Sequence, residues 1–507
     1  MMFKNFIPLT LIAILVACTT AKQSAENSKV ASEQHRPQIH FTPPSGWMND
    51  PNGMVYSNGT YHLFYQHYPD STVWGPMHWG HATSTNLVEW QHKPIALYPD
   101  SLGYIFSGSA VVDTRNTSGL GKNGKAPLVA IFTYHDTTGE RKGRNDFQSQ
   151  AIAFSNDDGK TWTKYAGNPV LANAGIRDFR DPKVGWNEAT KKWIMTLAVQ
   201  DRVAFYSSPD LKNWTKESEF GKEVGAHGGV WECPDLFMLE HGGQQHWVLI
   251  VNLNPGGPNG GSATQYFVGK FDGQHFTPYS NETQWLDYGP DEYAGITWSN
   301  TGKRKIFLGW MSNWQYANLV PTKTWRSATT VPRELRLEQV GGKYRIASLP
   351  VAELQVLAIQ TMQGQQQGVL NGPVRMNLTT QSLDAFSITL KNKVGQKVVL
   401  GYDAATNSFY MDRRASGKIS FEPGFAAIHR APRFSATPNI KLTLIVDKAS
   451  VELFADDGLT VMTQIFFPDN DYESYSIDVK DSSAIQSFQV TPYRSMYLQG
   501  QNHKALK

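Results

Sequence analysis

Ser208-Pro209-Asp210-Leu211-Lys212-Asn213-Trp214 is the third copy of a short pattern in which a serine, an acidic or amide turn and a closing tryptophan follow one another. The earlier copies are Ser84-Thr85-Asn86-Leu87-Val88-Glu89-Trp90 and Ser155-Asn156-Asp157-Asp158-Gly159-Lys160-Thr161-Trp162. Each follows a β-rich run, and the closing tryptophans lie 72 and 52 residues apart. A repeat of this size is typical of the four-stranded blades of a β-propeller. At roughly 60 residues per blade, about 300 residues predict about five blades.

Hairpin patterns extend the β prediction over the rest of the chain. Tyr61-His62-Leu63-Phe64-Tyr65 follows the turn Ser57-Asn58-Gly59-Thr60, as in a β-hairpin. Runs such as Phe386-Ser387-Ile388-Thr389-Leu390 and Lys441-Leu442-Thr443-Leu444-Ile445-Val446 predict short strands every ten or so residues, which favours a β-sandwich. The predicted fold is all-β, a five-bladed propeller followed by a sandwich.

The predicted domains follow from these patterns and from chain length. At 507 residues the chain exceeds what one core usually supports. Gly341-Gly342 and Pro350 mark a plausible boundary between the two β regions. We therefore predict a propeller over residues 37–345, a sandwich over residues 346–495 and a tail over residues 496–507.

The N-terminus has the pattern of an export signal over residues 1–17, with Lys4 as the basic residue before an apolar stretch. Leu15-Val16-Ala17-Cys18 resembles a bacterial lipobox, which implies cleavage before Cys18 and lipidation of its sulfur. An ordinary signal with an incidental cysteine is the alternative. Residues 18–36, which lack Phe, Tyr and Trp, predict a flexible tether. We expect an exported protein, lipid-anchored to the bacterial outer membrane at its periplasmic face or at the cell surface.

Composition narrows the partners. The net charge is only +3, and Lys and Arg are scattered, which argues against nucleic acid and favours a neutral ligand. Besides Cys18 the only cysteine is Cys233, so lipidation leaves no intramolecular disulfide. His78 and His81 stand in an extended segment containing Gly80, where they do not share a face, so we expect no metal. No glycine-rich phosphate loop or dinucleotide motif occurs, and we expect no cofactor. The oligomeric state is left open.

Three acidic residues stand in unusual contexts. These contexts are Trp47-Met48-Asn49-Asp50-Pro51-Asn52-Gly53, Arg180-Asp181-Pro182 and Trp231-Glu232-Cys233-Pro234-Asp235. An Asp before Pro is most often a turn residue, so no single context decides the function. Paired carboxylates are, however, the common equipment for cleaving glycosidic bonds. Because the three acids fall on different predicted blades, they can meet only at the propeller axis.

The three contexts, in this order and at this spacing, resemble glycoside hydrolase family 32, the invertases, inulinases and levanases. Five further segments carry the same resemblance: Leu63-Phe64-Tyr65-Gln66, Trp74-Gly75-Pro76-Met77-His78-Trp79-Gly80-His81, Phe106-Ser107-Gly108-Ser109, Asp291-Glu292-Tyr293-Ala294 and Leu308-Gly309-Trp310-Met311-Ser312-Asn313-Trp314. The resemblance covers roughly residues 37 to 490 and implies the propeller-and-sandwich fold. It also implies that Asp50 is the nucleophile, Glu232 the general acid and base, and Asp181 the transition-state stabiliser.

The resemblance further implies a fructose pocket lined by Gln66, Trp74, Phe106, Ser107, Tyr293 and Trp310, although Trp310 has core packing as its alternative. From the residues themselves we expect Asn49 to donate a hydrogen bond to Asp50, and Arg180 to bind sugar oxygens or to orient a neighbouring acid. We also expect the apolar neighbours Trp231 and Cys233 to favour the protonated form of Glu232.

The implied activity is retaining hydrolysis of β-D-fructofuranosyl linkages in levan, inulin and possibly sucrose, exo-acting with release of fructose. A retaining enzyme forms a glycosyl ester on its nucleophile, with the two catalytic carboxyl groups about 5 to 5.5 Å apart. Three alternatives stay open: an endo-acting levanase, a fructosyltransferase, and a non-catalytic glycan-binding lipoprotein of the cell surface. The expected partners are fructan or sucrose, and the membrane through Cys18.

Overall fold

Five antiparallel sheets form the first two-thirds of the chain in the computed structural model, which describes residues 30–497. The first sheet contains β1–β4 (Gly46–Ser57, Thr60–Tyr68, His78–Ser84, Gln91–Leu97). The second contains β5–β8 (Tyr104–Val112, Leu128–His135, Gln148–Ser155, Thr163–Lys164), and the short helix α1 (Thr137–Arg141) follows β6. The third contains β9–β12 (Phe179–Asn187, Lys192–Val199, Arg202–Ser208, Thr215–Phe220). Each strand pairs with the next in the chain, as in a propeller blade.

Two further sheets complete the set. The fourth contains β13–β17 (Val230–His241, Gln244–Asn254, Ala263–Phe271, Phe276–Pro278, Gln284–Trp285). The fifth contains β18, β19 and β21–β23 (Tyr293–Thr297, Ile306–Met311, Ala328–Thr329, Arg333–Val340, Lys343–Pro350). The strand β20 (Trp325–Arg326) lies between β19 and β21 in sequence but does not belong to the fifth sheet. It pairs in parallel with β1, so a late segment of the chain joins the first blade. The innermost strands β1, β5, β9, β13 and β18 contact one another in a closed ring, which confirms the five-bladed propeller.

The repeated sequence pattern occupies the same place in three blades. Its serine ends the third strand of the blade, and its tryptophan comes directly before the fourth. In each copy the serine hydroxyl bonds the acid or amide two residues on: Ser84 with Asn86, Ser155 with Asp157, and Ser208 with Asp210. These side chains then cap backbone N–H groups of the turn. The pattern is therefore the turn that starts the outermost strand of a blade.

The second domain is a sandwich of two six-stranded antiparallel sheets, as predicted. One sheet has the strand order β24-β35-β26-β31-β32-β33 (Met362–Gln363, Ile485–Pro492, Val374–Thr380, Lys441–Asp447, Ser450–Ala455, Thr460–Ile465). The other has the order β25-β34-β27-β28-β29-β30 (Gln367–Val369, Ser474–Val479, Phe386–Lys391, Lys397–Asp403, Ser408–Ala415, Ile428–Pro432). Short 3-10 helices span Ala352–Leu357 and Ser482–Ala484. Alternate residues of both sheets form one apolar core between them.

The structure shifts three predicted domain limits. Because β23 pairs with β22 as far as Pro350, the fifth blade continues five residues beyond the predicted boundary at residue 345. Arg36, predicted to end the tether, is fully buried and donates to Thr42 Oγ1 (2.8 Å). Met496 in the predicted tail is also buried, and its backbone N–H donates to Gln38 O (2.9 Å). Both ends of the described chain therefore pack against the domains.

The signal peptide, Cys18 and the first part of the tether lie outside the described residues. Within residues 30–497, no helix is long and apolar enough to cross a membrane.

Buried ion pairs fasten the sandwich to the propeller. Arg333 of β22 donates to Asp287 Oδ2 (2.9 Å) on the propeller side and pairs with Glu452 of β32 on the sandwich side, and all three side chains are fully buried. A second pair joins Arg413 of β29 to Asp291 (2.7 Å) just before β18. A charged side chain that is buried away from water needs an oppositely charged partner, and here each domain supplies the partners for buried charges of the other.

Glu292, fully buried next to these pairs, should make stability depend on pH. Burial raises the pKa of Glu292 to about 8, with Asp287 adding to the rise and Arg333 opposing it. Between its ordinary pKa of about 4.3 and about 8, the unfolded chain loses this proton while the folded chain keeps it. Stability is thus highest below the lower value and falls as pH rises through this window. Since glutamine stays neutral, Glu292→Gln should raise Tm by at least about 2 °C at pH 8 and have little effect at pH 5.

Differential scanning fluorimetry from pH 5 to 8 measures this effect, with the exposed acid Glu223→Gln as the control. An equal Tm shift at both pH values would show that Glu292 does not carry the buried proton.

Candidate active site

The innermost strand of every blade is irregular where it enters the funnel. The pairing of β1, β5, β13 and β18 shifts register beside Asp50, Ser107, Cys233 and Ala294 in turn, and the pairing of β9 shifts beside Asp181. Asp181, Cys233 and Ala294 have positive φ angles of 63°, 43° and 54°. Such bulges redirect side chains, and strained backbone of this kind clusters at functional sites. The predicted motifs are therefore the places where the strands bend to aim side chains at the axis.

Asp50, the predicted nucleophile, is held by two donors. Asn49 Nδ2 donates to Asp50 Oδ1 (2.8 Å), and Ser107 Oγ donates to Oδ2 (2.6 Å). The Asn49 amide is itself oriented by Trp47 Nε1, which donates to Asn49 Oδ1 (2.7 Å). Burial and the nearby Glu232 raise the pKa of Asp50 above its ordinary value, while the hydrogen bonds from Ser107 and Asn49 oppose the rise. These donors favour the ionised form that a nucleophile needs.

Asp181 lies on the innermost strand of the third blade, β9, and its Oδ2 accepts a hydrogen bond from the backbone N–H of Cys233 (3.0 Å). Burial raises the pKa of Asp181 to about 7; Arg180 opposes the rise, and Glu232 and Asp50 add to it. Asp181 is therefore near the midpoint of its titration at neutral pH.

Glu232 contacts polar groups rather than the apolar neighbours expected from sequence. Arg180 donates to Glu232 Oε1 through Nη2 (3.0 Å) and Nε (3.2 Å), and the Tyr293 hydroxyl donates to Oε2. Trp231 points the other way, into the apolar core between the third and fourth blades, because successive residues of a strand face opposite sides. The expectation that Trp231 shields the acid is therefore wrong.

Cys233 lies between the two aspartates. Its Sγ is 3.6 Å from Asp50 Oδ2 and 3.7 Å from Asp181 Oδ2. Burial raises the pKa of the Cys233 thiol, and the negative charges of Asp181 and Asp50 raise it further. The group is therefore a neutral thiol, a weak donor to both carboxylates, rather than a thiolate nucleophile.

The three acids and Arg180 line one open pocket of 510 Å³ at the propeller axis. Of the predicted site residues, it exposes Asn49, Asp50, Gln66, Trp74, Phe106, Ser107, Arg180, Asp181 and Glu232. Gln66 is buried, and its Nε2 has no hydrogen-bond partner among residues 30–497, so it is free to donate to a ligand. Tyr293 lies behind Glu232 and reaches the site only through that acid.

Trp310, also predicted to line the pocket, is in the core. Its side chain is fully buried and packs between Trp47 (6.0 Å between ring centroids) and Trp314 (4.9 Å). Trp314, four residues on, takes the place at the pocket wall. The core-packing alternative for Trp310 is therefore the correct one.

Several pocket residues were not among the predicted site residues. One is Trp314, which stands in a segment that carries the family resemblance; the others are His135, Glu140, Phe147, Gln148, Asp178, Val230, Asn254 and Asn318. Asp178 accepts from Arg180 Nη1 (2.6 Å) and so orients the guanidinium toward Glu232. The His135 ring stacks on Phe106 with centroids 4.2 Å apart. Most of them lie in loops or at the ends of strands, and Glu140 lies in α1, where no local motif predicts a position at the propeller axis. Asp178 is the exception, because it stands two residues before Arg180 of the Arg180-Asp181-Pro182 motif.

Three converging carboxyl groups, a guanidinium and aromatic walls at the mouth of a five-bladed propeller define a glycoside hydrolase. Comparison with known proteins specifies it further. Residues 40–348 match the model of the glycosyl hydrolases family 32 N-terminal domain, and residues 348–492 match that of the family 32 C-terminal domain. The chain belongs to glycosyl hydrolase family 32.

Individual relatives agree with this assignment. The chain is 45% identical to the levanase of Bacillus subtilis (strain 168), over 98% of this chain and 76% of that protein. It is 40% identical to the extracellular exo-inulinase of Aspergillus niger, over 87% and 90% of the two chains. Among solved structures, the exo-inulinase from Aspergillus awamori superposes with a TM-score of 0.84 at 36% identity, covering 92% of this chain and 99% of that one.

Proposed function

We propose that the protein is an exo-acting β-fructosidase that releases fructose from levan, inulin and sucrose with retention of configuration. The observation that carries this proposal is the pair of differently held acids, Asp50 with donors on both oxygens and Glu232 between Arg180 and Tyr293. Two carboxyl groups that face one pocket can act on the same glycosidic bond, one as nucleophile and the other as proton donor. The levanase and exo-inulinases among the relatives support a fructan as the substrate.

In the first step Asp50 attacks the anomeric carbon of the terminal fructosyl unit, and Glu232 gives its proton to the departing glycosidic oxygen. The bond from carbon to the leaving oxygen breaks as the ester to Asp50 forms. In the second step Glu232 takes a proton from water, whose oxygen displaces Asp50 and yields fructose. Asp181 accepts hydrogen bonds from fructose hydroxyls that shorten as the ring flattens in the transition state.

The shape of the pocket favours exo action. Asn318 Oδ1 accepts from the backbone N–H of Trp74 (2.9 Å), so loops of the first and fifth blades join at the rim. Next to the acids, Pro51, Cys233 and Ile296 line a cavity of only about 10 Å³, which is too small to admit a sugar. A pocket closed below and narrowed at this side admits a chain end more readily than the middle of a polymer.

A time course of products from levan, inulin and sucrose, separated by chromatography, tests the proposal. We expect fructose alone from the first minutes, released in its β-anomeric form when followed by NMR. A ladder of oligosaccharides from one polymer would instead indicate an endo-acting enzyme. Products longer than the sucrose supplied would indicate a fructosyltransferase. No product from any substrate would indicate the non-catalytic glycan-binding lipoprotein.

We also propose that Cys18 carries lipid and anchors the enzyme to the outer membrane. The lipobox-like Leu15-Val16-Ala17-Cys18 supports this anchor. In the same assay, the activity of the wild-type protein should stay with washed cells of the source bacterium and with their membrane fraction. The activity of the Cys18→Ser variant should be released from that fraction. Wild-type activity found free of membranes would contradict the anchor.

A further inference from the structure

A second cleft, of 540 Å³, lies on the outer face of the sandwich sheet that contains β27–β30. Its floor is one row of directly paired residues across five strands: Asp478, Ser387, Gly401, Tyr410 and Arg430. Directly paired residues of antiparallel strands share a face of the sheet, so their side chains stand side by side. The cleft shares no residue with the pocket at the propeller axis.

Gly401 creates the depression in the middle of this row. A Cβ at this position would lie 2.1 Å from the backbone oxygen of Phe386, so the close strand pairing admits only glycine. With no side chain at the centre, the polar groups on either side form two walls above a backbone floor.

Tyr410 turns the floor into a flat aromatic surface. Its hydroxyl interacts with Ser387, which stands two strands away on the far side of Gly401. Neighbouring strands are about 4.8 Å apart, so the side chain must lie along the sheet, over Gly401, to reach it. The Arg430 guanidinium lies over the ring, 5.8 Å from its centroid. Tyr410 and Arg430 both line the cleft, so a ligand there meets the ring beside the guanidinium.

The charges around this surface balance. Arg430 pairs with Asp403 (Nη1 to Oδ2, 3.0 Å) at one end, and Asp478 and Lys480 stand at the other. Two acids and two bases favour neither an anion nor a cation, but they offer many donors and acceptors beside an aromatic face. That combination fits a neutral molecule with hydroxyl groups on an apolar ring face, which is a carbohydrate.

We propose that this cleft is a non-catalytic binding site for the fructan polymer. The class of ligand follows from the cleft, and the choice of a fructan rests on the proposed function. Polymer held on the sandwich stays close to the pocket, so its chain ends meet the catalytic acids at a raised effective concentration. The benefit applies to polymers and not to sucrose, which is too short to reach both sites.

Affinity electrophoresis through gels containing levan or inulin tests the cleft directly. All variants carry Asp50→Asn, so that the polymer is not consumed. Adding Tyr410→Ala should weaken retardation by at least one polymer about tenfold, because the stacking face is lost. The matched control is Arg414→Ala, on the same strand as Tyr410. It removes an exposed side chain that pairs with Asp412, and both of these residues lie outside the cleft. It should migrate like its parent.

Turnover in the active protein separates this proposal from the proposed function. Tyr410→Ala should keep kcat/KM for sucrose within about twofold of wild type and lower the rate on dilute polymer severalfold. Unchanged retardation and unchanged polymer rates in Tyr410→Ala, with a wild-type Tm, would overturn the cleft proposal. Equal losses on sucrose and polymer would overturn it as well, since they indicate a structural role. Failure of wild-type protein to hydrolyse any fructoside would overturn the proposed function, whatever the gels show.

Discussion

Asp50→Asn should lower kcat for sucrose and fructans by about 10⁴-fold or more, because a neutral amide cannot form the ester to the sugar. The substitution keeps the shape of the side chain. The Ser107 hydroxyl can still donate to the amide oxygen, so the pocket should remain assembled. We therefore expect binding of fructose to change far less than turnover, which calorimetric titration and initial rates measure on the same sample.

Asp178→Asn is the matched control for Asp50→Asn. Asp178 is an acid of the same pocket, but it acts through Arg180 and not on the sugar. Losing one charged hydrogen bond should cost about 10- to 100-fold in kcat/KM. If Asp50→Asn kept more than about one-hundredth of wild-type turnover, comparable with this control, Asp50 would not be the nucleophile.

Arg333→Ala should be the most destabilising single change at the domain interface. It leaves Asp287 and Glu452 fully buried without their common partner, which costs about 3–5 kcal/mol. Because the chain has two domains, the decrease is best measured as a lowered Tm in scanning calorimetry, where a split transition would also show that the domains no longer unfold together.

Arg304→Ala provides the comparison. Arg304 also pairs with two acids, Glu334 and Glu353, but its side chain is 35% exposed. Water replaces such partners readily, and the expected cost is below about 1 kcal/mol. Equal Tm values for the two variants would mean that burial does not set the strength of the Arg333 pairs.

The sequence predicts the catalytic acids well because each stands in a short motif at a bend of an innermost strand. The residues next to each acid in sequence form its motif, and the blade repeat places all three acids, Asp50, Asp181 and Glu232, at one axis. The fold was predictable for the same reason, since the turn that precedes each outer strand recurs with the same serine and tryptophan.

Features that depend on which way a side chain faces were not predictable. Trp310 and Trp314 stand in one segment with equal signals, and both rings lie against Trp47. Only the tertiary structure makes Trp310 fully buried and places Trp314 at the pocket wall. Likewise Arg333 and Glu452 are 119 residues apart in sequence, and no local pattern predicts that they form an ion pair. Such contacts arise from tertiary structure alone.

The parallel pairing of β20 with β1 has a consequence for the order of folding. Gly46 and Trp325 adjoin in the finished first blade, so this blade cannot be completed until the chain as far as β20 is present. Contacts this distant in sequence form slowly. The first blade, whose strands β1–β4 are synthesised before those of any other blade, is therefore completed only after every strand of the second, third and fourth blades has been synthesised.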